Sequence, residues 1–421
     1  MVANLGTVLR VPDFRRLVAV TTISQFGDRL THMLLITLIA AARPGRLLGY
    51  SGGALVFTLP TLLLTPFAGV LVDRWDKRKT LATTHLIQSA VLLATPLAAW
   101  LARSYWPCWA GMFVFFGLDL FNNTAAPALL PAVVGERGIL AANSASLALA
   151  RVATILGMVL GGFLVPWLGW SVGLAANAST HLAAGLVALT IAARLRAPAD
   201  ASPLGNSLAA AAGRFGRELA EVGRLVARSR LIAFVLASTV VSVLISAVAY
   251  TVLIYLVQQV LGKGTVGVGV FAGIIAVGMV GGAVVIGLLP GRVNRPMVIL
   301  AAILLYGLLF IAGSFHLSLL FLVVVALLAG VSYSWLGVVQ NTILQEEAAP
   351  EARARVFATR EFVGNATFII SATAVGLFGD LTSWRHALAG IGGLLVLLAA
   401  LGFLFVRGMR REATESNGGV V

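Results

Sequence analysis

Apolar residues fill this chain in long unbroken runs rather than in short periodic stripes. Twelve runs stand out, at about 17–41, 50–72, 80–102, 106–129, 143–168, 171–193, 231–259, 266–289, 296–313, 317–341, 356–378 and 384–406. A bilayer core of about 30 Å needs roughly 20 apolar residues per helix, so each run predicts a membrane-spanning helix. The predicted fold class is an all-α membrane protein with twelve transmembrane helices. The one long polar connection, 194–230, divides the runs six and six, giving halves at 1–193 and 231–421. It opens on Pro198, Pro203 and Gly205, which suit a linker. Leu208, Phe215, Leu219, Val222 and Val226 then recur at helical spacing, with Arg214, Arg217, Arg224 and Arg228 on other faces. This predicts an amphipathic helix lying on the cytoplasmic membrane interface, or else a site for a regulatory partner.

Composition agrees with that reading. Of 421 residues, 59% are hydrophobic and 11% charged, against about 25% charged in a soluble domain. The net charge of +14 does not indicate nucleic acid, because no soluble basic domain is left once the runs are assigned. Basic residues instead follow the positive-inside rule. With both termini inside, the cytoplasmic segments hold 22 Lys and Arg and the outer loops 5. Arg outnumbers Lys 27 to 3, a hint of a GC-rich bacterial genome and hence of a bacterial inner membrane. The first run is too long for a signal-peptide core and reads as a retained helix. Cys108 is the single cysteine, so an intrachain disulfide is excluded and a cysteine-based metal site is implausible. No cluster has metal-ligand spacing and no P-loop is present, so neither an enzyme nor a cofactor is expected. A monomer suffices for such a bundle.

The candidate chemistry lies in charges at membrane depth. Asp28 and Arg29 fall mid-way along the first run, Asp119 mid-way along the fourth, and Arg151 about two turns into the fifth. Such charges cost about 2.5–3.5 kcal/mol each on insertion scales and usually face a cavity. Gln25, Asp28 and His32 share one helical face, as do Phe115, Asp119, Asn122 and Asn123. Two readings stand. In one, Asp28 or Asp119 takes up and releases a proton as its surroundings alternate, with Arg151 as a candidate cation nearby. In the other, the charges form a neutral packed network that never titrates. Tyr250, Tyr255, Gln258, Tyr333 and Trp335 are candidate cavity residues in the second half. His85 and His181, on the third and sixth runs, receive no role. Gly157 and Gly161 are four residues apart and form one groove for close helix packing.

Three places carry a family resemblance. Phe14-Arg-Arg-Leu17 is followed by Ser24-Gln-Phe-Gly-Asp28. A charged turn, Gly69-Val-Leu-Val-Asp-Arg-Trp-Asp-Lys-Arg-Lys79, joins the second and third runs. Pro127-Ala-Leu-Leu-Pro131 and Ala142-Asn143 precede Gly157-Met-Val-Leu-Gly-Gly162. The charged turn has a weaker echo at Gly287-Leu-Leu-Pro-Gly-Arg-Val-Asn-Arg295, where Gly287, Leu289 and Arg292 match but Gly291 replaces the acidic residue. Together these resemble the major facilitator superfamily, and most of all its drug-exporter branch with macrolide efflux proteins and enterobactin exporters. The glycine-rich helix resembles an exporter motif, with Met158 where that motif usually has proline.

The resemblance implies two pseudo-symmetric six-helix halves and transport by alternating access. It implies proton-coupled export of an amphipathic drug or metabolite, with small-molecule substrate, protons and membrane lipids as partners. A lipid or lysolipid transporter, an importer or a uniporter is the alternative within the same fold; a non-transporting sensor or assembly partner is a remote one. It further implies a cavity lined by Gln25, Arg29, His32, Asn122, Asn123, Tyr250, Tyr333 and Trp335. Gating falls to Gly69, Asp73, Arg74, Arg78, Gly157, Gly161 and Arg360, with Asp73 latched to the start of the eleventh helix and Arg360 as its candidate partner. Arg74, Lys77, Arg78 and Lys79 also read as topology determinants.

Overall fold

The computed structural model describes residues 8–42, 45–135, 138–193, 204–288 and 294–418. Among these residues every long regular element is a helix. The first six are α1 (Pro12–Ala42), α2 (Leu47–Arg74), α3 (Lys77–Ala102), α4 (Trp106–Val134), α5 (Ile139–Leu168) and α6 (Trp170–Leu189). The polar connection contributes α7 (Leu204–Arg228). Then come α8 (Arg230–Val260), α9 (Gly264–Leu288), α10 (Arg295–Phe315), α11 (Leu319–Glu347), α12 (Pro350–Leu381) and α13 (Trp384–Gly418). Eleven of these are long and apolar enough to cross a membrane. The twelfth expected span, α1, has 31 residues but is not among the eleven, because Gln25, Asp28, Arg29 and His32 interrupt its apolar run. Pro198 and Pro203 of the linker, and Leu289, Gly291 and Arg292 of the second-half echo, lie outside the described residues.

Helix ends follow local chemistry. Asp76 caps α3 by accepting from the Lys79 N–H at 3.0 Å, and Ser229 and Ser318 do the same for α8 and α11. Such a cap contributes about 1 kcal/mol. Gly169, at φ 76°, is the single residue between α5 and α6; a side chain there would be strained. In the charged turn, the buried Lys77 ammonium donates to the Val72 and Asp73 carbonyls at 2.8 and 3.0 Å. Arg78 donates to the Leu189 and Ile191 carbonyls at 3.3 and 3.0 Å. Both cations thus sit at helix C-termini, where the dipole favours them.

The chain forms two compact units. The first comprises 1–44, 53–215 and 262–270. Its core gathers Phe14, Leu17, Leu81, Leu129 and Ala184. Close packing of α5 on α1 depends on glycines. A Cβ at Gly157 would lie 2.7 Å from the Phe26 carbonyl oxygen, and one at Gly161 would lie 3.1 Å from Met33. Gly162 faces elsewhere, 2.6 Å by the same measure from the Gly269 Cα. At one end of this unit the Asp13 carboxylate accepts from the Ala192 and Ala193 N–H groups at 3.0 and 2.8 Å and from Arg16 at 2.7 Å. Burial opposes the charge on Asp13, yet those three donors hold its carboxyl below the usual carboxylate range.

The second unit comprises 45–52, 216–261 and 271–421. Val235, Val248, Ile299, Ile303, Leu344 and Leu395 are among its core. The α9–α11 crossing is again glycine-dependent: a Cβ at Gly282 would lie 2.7 Å from the Val331 oxygen, and one at Gly330 would overlap the Ile275 oxygen. Part of the amphipathic helix packs on this unit. Val222 is buried in this unit's core with Leu225 and Val226 packed beside it, and Glu221 pairs with Arg355. The C-terminal part of its apolar stripe thus packs on protein. Asp380 accepts from the Leu47 N–H at 2.7 Å and the Leu48 N–H at 3.2 Å, capping the first turn of α2.

Two outcomes follow from this packing. Gly330→Ala forces a methyl group into the α9 backbone and lowers the thermal midpoint in detergent, by the equivalent of about 1–3 kcal/mol. Gly337→Ala, on the same helix with nothing within 4 Å, leaves the midpoint unchanged or slightly raised. For Asp13, the depressed value means its stabilisation is complete above the unfolded value of about 3.9 and is lost as pH falls through the folded one. Asp13→Asn is therefore less stable than the wild type at neutral pH, and the gap closes on acidification; parallel melting curves across pH measure this.

Candidate functional site

The candidate site lies in the first unit, where α1, α3, α4 and α6 bring their polar residues together. Asp28 sits at the middle of α1 and is 3% exposed. The residue before it decides its neighbours. A Cβ at Gly27 would lie 2.7 Å from Asn177 Oδ1 and 2.9 Å from His181 Nε2, so the bare glycine lets α6 close on α1. His181 Nε2 then stands 3.8 Å from Asp28 Oδ1. No hydrogen bond satisfies either Asp28 oxygen or His181 Nε2. From α4, Asp119 acts electrostatically on Asp28, and Arg29 acts on both carboxyls. Asn123 donates to Asp119 at 2.9 Å.

The polar stripes divide more finely than their spacing indicates. Asn122 and Asn123 go to different places. Asn123 joins Asp119, whereas Asn122 is buried between α4 and α3. There it donates to Gln88 Oε1 at 2.9 Å, approaches His85 Nδ1 at 3.3 Å and accepts from Thr84. His85 Nδ1 also meets Gln88 Oε1 at 3.0 Å and His181 Nδ1 at 3.4 Å. A continuous buried chain thus runs from Asp28 through His181 and His85 to Gln88 and Asn122. His32 hydrogen-bonds the Asp28 carbonyl through Nδ1 at 2.8 Å, and its ring lies between Phe57 and Phe116 at 5.1 and 4.9 Å. Gln25 is half-buried on the same helix.

Arg29, rather than Arg151, is the cation of this cluster. Arg151 is exposed on α5 and does not act on either carboxyl. Two carboxyls facing one guanidinium have a simple consequence. Ionised, the three groups carry one net negative charge; with one proton on the carboxyls they are neutral. Two carboxylates sharing a site do not both ionise readily, and net charge at membrane depth is costly.

In the second unit the polar centre is Arg360. It donates to Thr239 at 3.3 Å, to Gln340 at 3.3 Å and to Asn341, and Glu361 acts on it electrostatically. Gln340 in turn donates to Ser238 and Ser242, each at 3.0 Å. Asp73, its proposed latch partner, has a largely exposed side chain 3.6 Å from Lys77. Arg74 ends α2, and Gly69 lies within the same helix. Tyr250 packs edge-on to Phe368 at 5.9 Å, in a π-helical turn at Ala249–Leu253, an irregularity often found at functional sites. Trp335 donates to the Gly282 carbonyl at 2.9 Å and so anchors α11 to α9, while Tyr333 is exposed. Gln258, with Gln259, instead holds the Tyr50 hydroxyl.

Sequence reasoning left out His85 and His181. Their signal was present as Gly27 beside Asp28 and as the run Asn177-Ala-Ser-Thr-His181 on an otherwise apolar helix, but only the α1–α6 contact shows that the two belong together.

Comparisons with known proteins agree with this architecture. The family model described as Major Facilitator Superfamily matches residues 18–297 and 278–420. The chain is 34% identical over 156 residues to MFS-type transporters of Mycobacterium tuberculosis and Mycobacterium bovis, which is 36% of this chain and 35% of each relative. It thus matches only about a third of the length of those curated relatives. Among solved structures, a peptide transporter, POT, in complex with sulfate aligns with a TM-score of 0.72 at 13% identity, over 94% of this chain and 95% of that one. A bacterial homolog of the human lysosomal transporter Spinster aligns at 0.70 and 14% identity, over 94% and 96%. At these identities the likeness is one of fold. The family match runs through nearly the whole sequence, and the chain belongs to the Major Facilitator Superfamily.

Proposed function

We propose that this chain exports an amphipathic small molecule in exchange for protons by alternating access, from a bacterial inner membrane with both termini in the cytoplasm. Transport itself accords with the family and with the transporter folds it resembles. Proton coupling rests on one observation: Asp28 is buried at the middle of α1, with Asp119 and Arg29 both acting on it electrostatically. The group is neutral only when it holds a proton, so opening it to water on one side and then the other exchanges that proton. Substrate would be bound by largely apolar walls, with Gln25, His32 and Asn123 supplying polar contacts. Asp73, with its side chain exposed, suits the latching role that the family resemblance implies.

A second reading has its own support. Met158 stands where the exporter motif usually has proline, which favours movement of a lipid or other amphiphile without proton exchange.

Purified protein in liposomes, given a panel of amphipathic dyes and an imposed pH gradient, separates the two. Gradient-driven dye movement is expected in the wild type. Asp28→Asn and Asp119→Asn should each lose at least about tenfold of the gradient-driven component, the effect of removing about 1.4 kcal/mol of coupling. Unchanged gradient-driven transport in Asp28→Asn would overturn its assignment. Dye or lipid movement indifferent to the gradient would establish the second reading.

A further inference from the structure

Asp28 and His181 face each other as unsatisfied partners. Both are buried, at 4% and 0% side-chain exposure. Each presents atoms without a hydrogen bond, Oδ1 and Oδ2 on one side and Nε2 on the other, across 3.8 Å. Behind His181, its Nδ1 meets His85 Nδ1 at 3.4 Å. His85 Nδ1 also lies within reach of a donor, Asn122 Nδ2 at 3.3 Å, and of an acceptor, Gln88 Oε1 at 3.0 Å.

A neutral imidazole carries its proton on one nitrogen only, so two arrangements are open, each leaving one mismatched contact at His85 Nδ1. When Asp28 is ionised, His181 carries its proton on Nε2 and aims it at the carboxylate. His85 then keeps a proton on Nδ1 for Gln88 Oε1. When Asp28 is protonated, its O–H donates to a bare His181 Nε2. His181 then carries its proton on Nδ1 and donates to His85 Nδ1, which also accepts from Asn122 and gives up its bond to Gln88 Oε1. Passing from the first to the second takes up one proton: Asp28 takes the His181 Nε2 proton, His181 Nδ1 takes the His85 Nδ1 proton, and His85 Nε2 gains one from outside, so each histidine ends neutral. The Gln88 contact of His85 Nδ1 fits the first arrangement and the Asn122 contact fits the second.

We propose that His181, supported by His85, is a positioning residue that reads the protonation state of Asp28 by exchanging tautomers, and so carries it from α1 to α3 and α6. The inference rests on the proton-coupled reading above. The groups facing Asp28 are Arg29 on its own helix, Asp119 from α4 and His181 from α6; α5 presents Gly157 and Gly161 to α1.

The chain has five histidines, so ring nitrogen-15 spectra of the full-length protein in lipid can be assigned by difference with His181→Gln. Carbon-13 aspartate labelling reports the Asp28 carboxyl in the same sample. Across a pH series, His181 should move from Nδ1–H to Nε2–H as Asp28 loses its proton. Asp28→Asn, whose amide can donate to Nε2 as protonated Asp28 does, should hold Nδ1–H at every pH. His85→Leu removes the acceptor behind His181 and should hold Nε2–H. A single His181 tautomer throughout the wild-type series, a doubly protonated His181, or an Asp28 carboxyl that never titrates would each overturn the inference. The wild-type series needs no variant to fold. If the tautomer switches while dye transport ignores the pH gradient, the coupling reading fails and the Asp28–His181 pair stands. If transport follows the gradient while the tautomer is fixed, only this inference fails.

Discussion

A carboxylate at the middle of a membrane-spanning helix has no bulk water to satisfy it, so the groups that answer it must come from neighbouring helices. Asp28 imposes that condition on the whole first unit. Asp119 reaches it from α4 and His181 from α6, and neither can do so unless the helices approach closely. Gly27 removes the side chain that would hold α6 away. Gly157 lets α5 lie against the turn that carries Phe26 and Arg29, and Gly161 against the next, with Leu30 and Met33. The glycines and the charges are therefore one arrangement. Small residues set the distance, and the distance makes a costly charge tolerable.

The charged turn after α2 has a plainer physical role than its sequence prominence indicates. Lys77 and Arg78 spend their donors on the carbonyls that end α2 and α6. Asp13 supplies the complementary service to the N–H groups of Ala192 and Ala193. Positive charge gathered on one side fixes topology, and here the same residues also close helix termini. Asp73 alone among them leaves its carboxylate largely in solvent.

Much of the fold was legible because membrane helices announce themselves by length and apolar content. The runs located most helices to within a few residues, but α1 began five residues earlier, α4 ended five later, α11 ended six later, α12 began six earlier and α13 continued to Gly418. Several of these extensions carry polar residues, such as Asp13 and Arg16 in α1, Glu346 and Glu347 in α11, and the tail of α13. The site was legible only along single helices. Spacing placed Gln25, Asp28 and His32 on one stripe of α1. It also grouped Asn122 with Asn123, which the structure separates, because a stripe read from sequence has width and two consecutive residues point about 100° apart. Arg151 is a depth argument, and its side chain is exposed rather than packed among the buried charges. His85 and His181 were unreadable because their meaning depends on contacts between helices far apart in sequence.

The two units answer buried polarity differently. In the second, Arg360 is held by the side-chain oxygens of Thr239, Gln340 and Asn341, with Glu361 nearby. Neutral amides and hydroxyls satisfy a guanidinium without changing charge, so that arrangement is static with respect to protons. In the first, two carboxyls share one cation and two buried histidines stand behind them. Every member of that set except Arg29 can gain or lose a proton. A transporter that couples to protons needs one place where charge changes and another that stays constant while it does. On the proton-coupled reading proposed above, the carboxyls of the first unit would be the changing place and Arg360 the constant one.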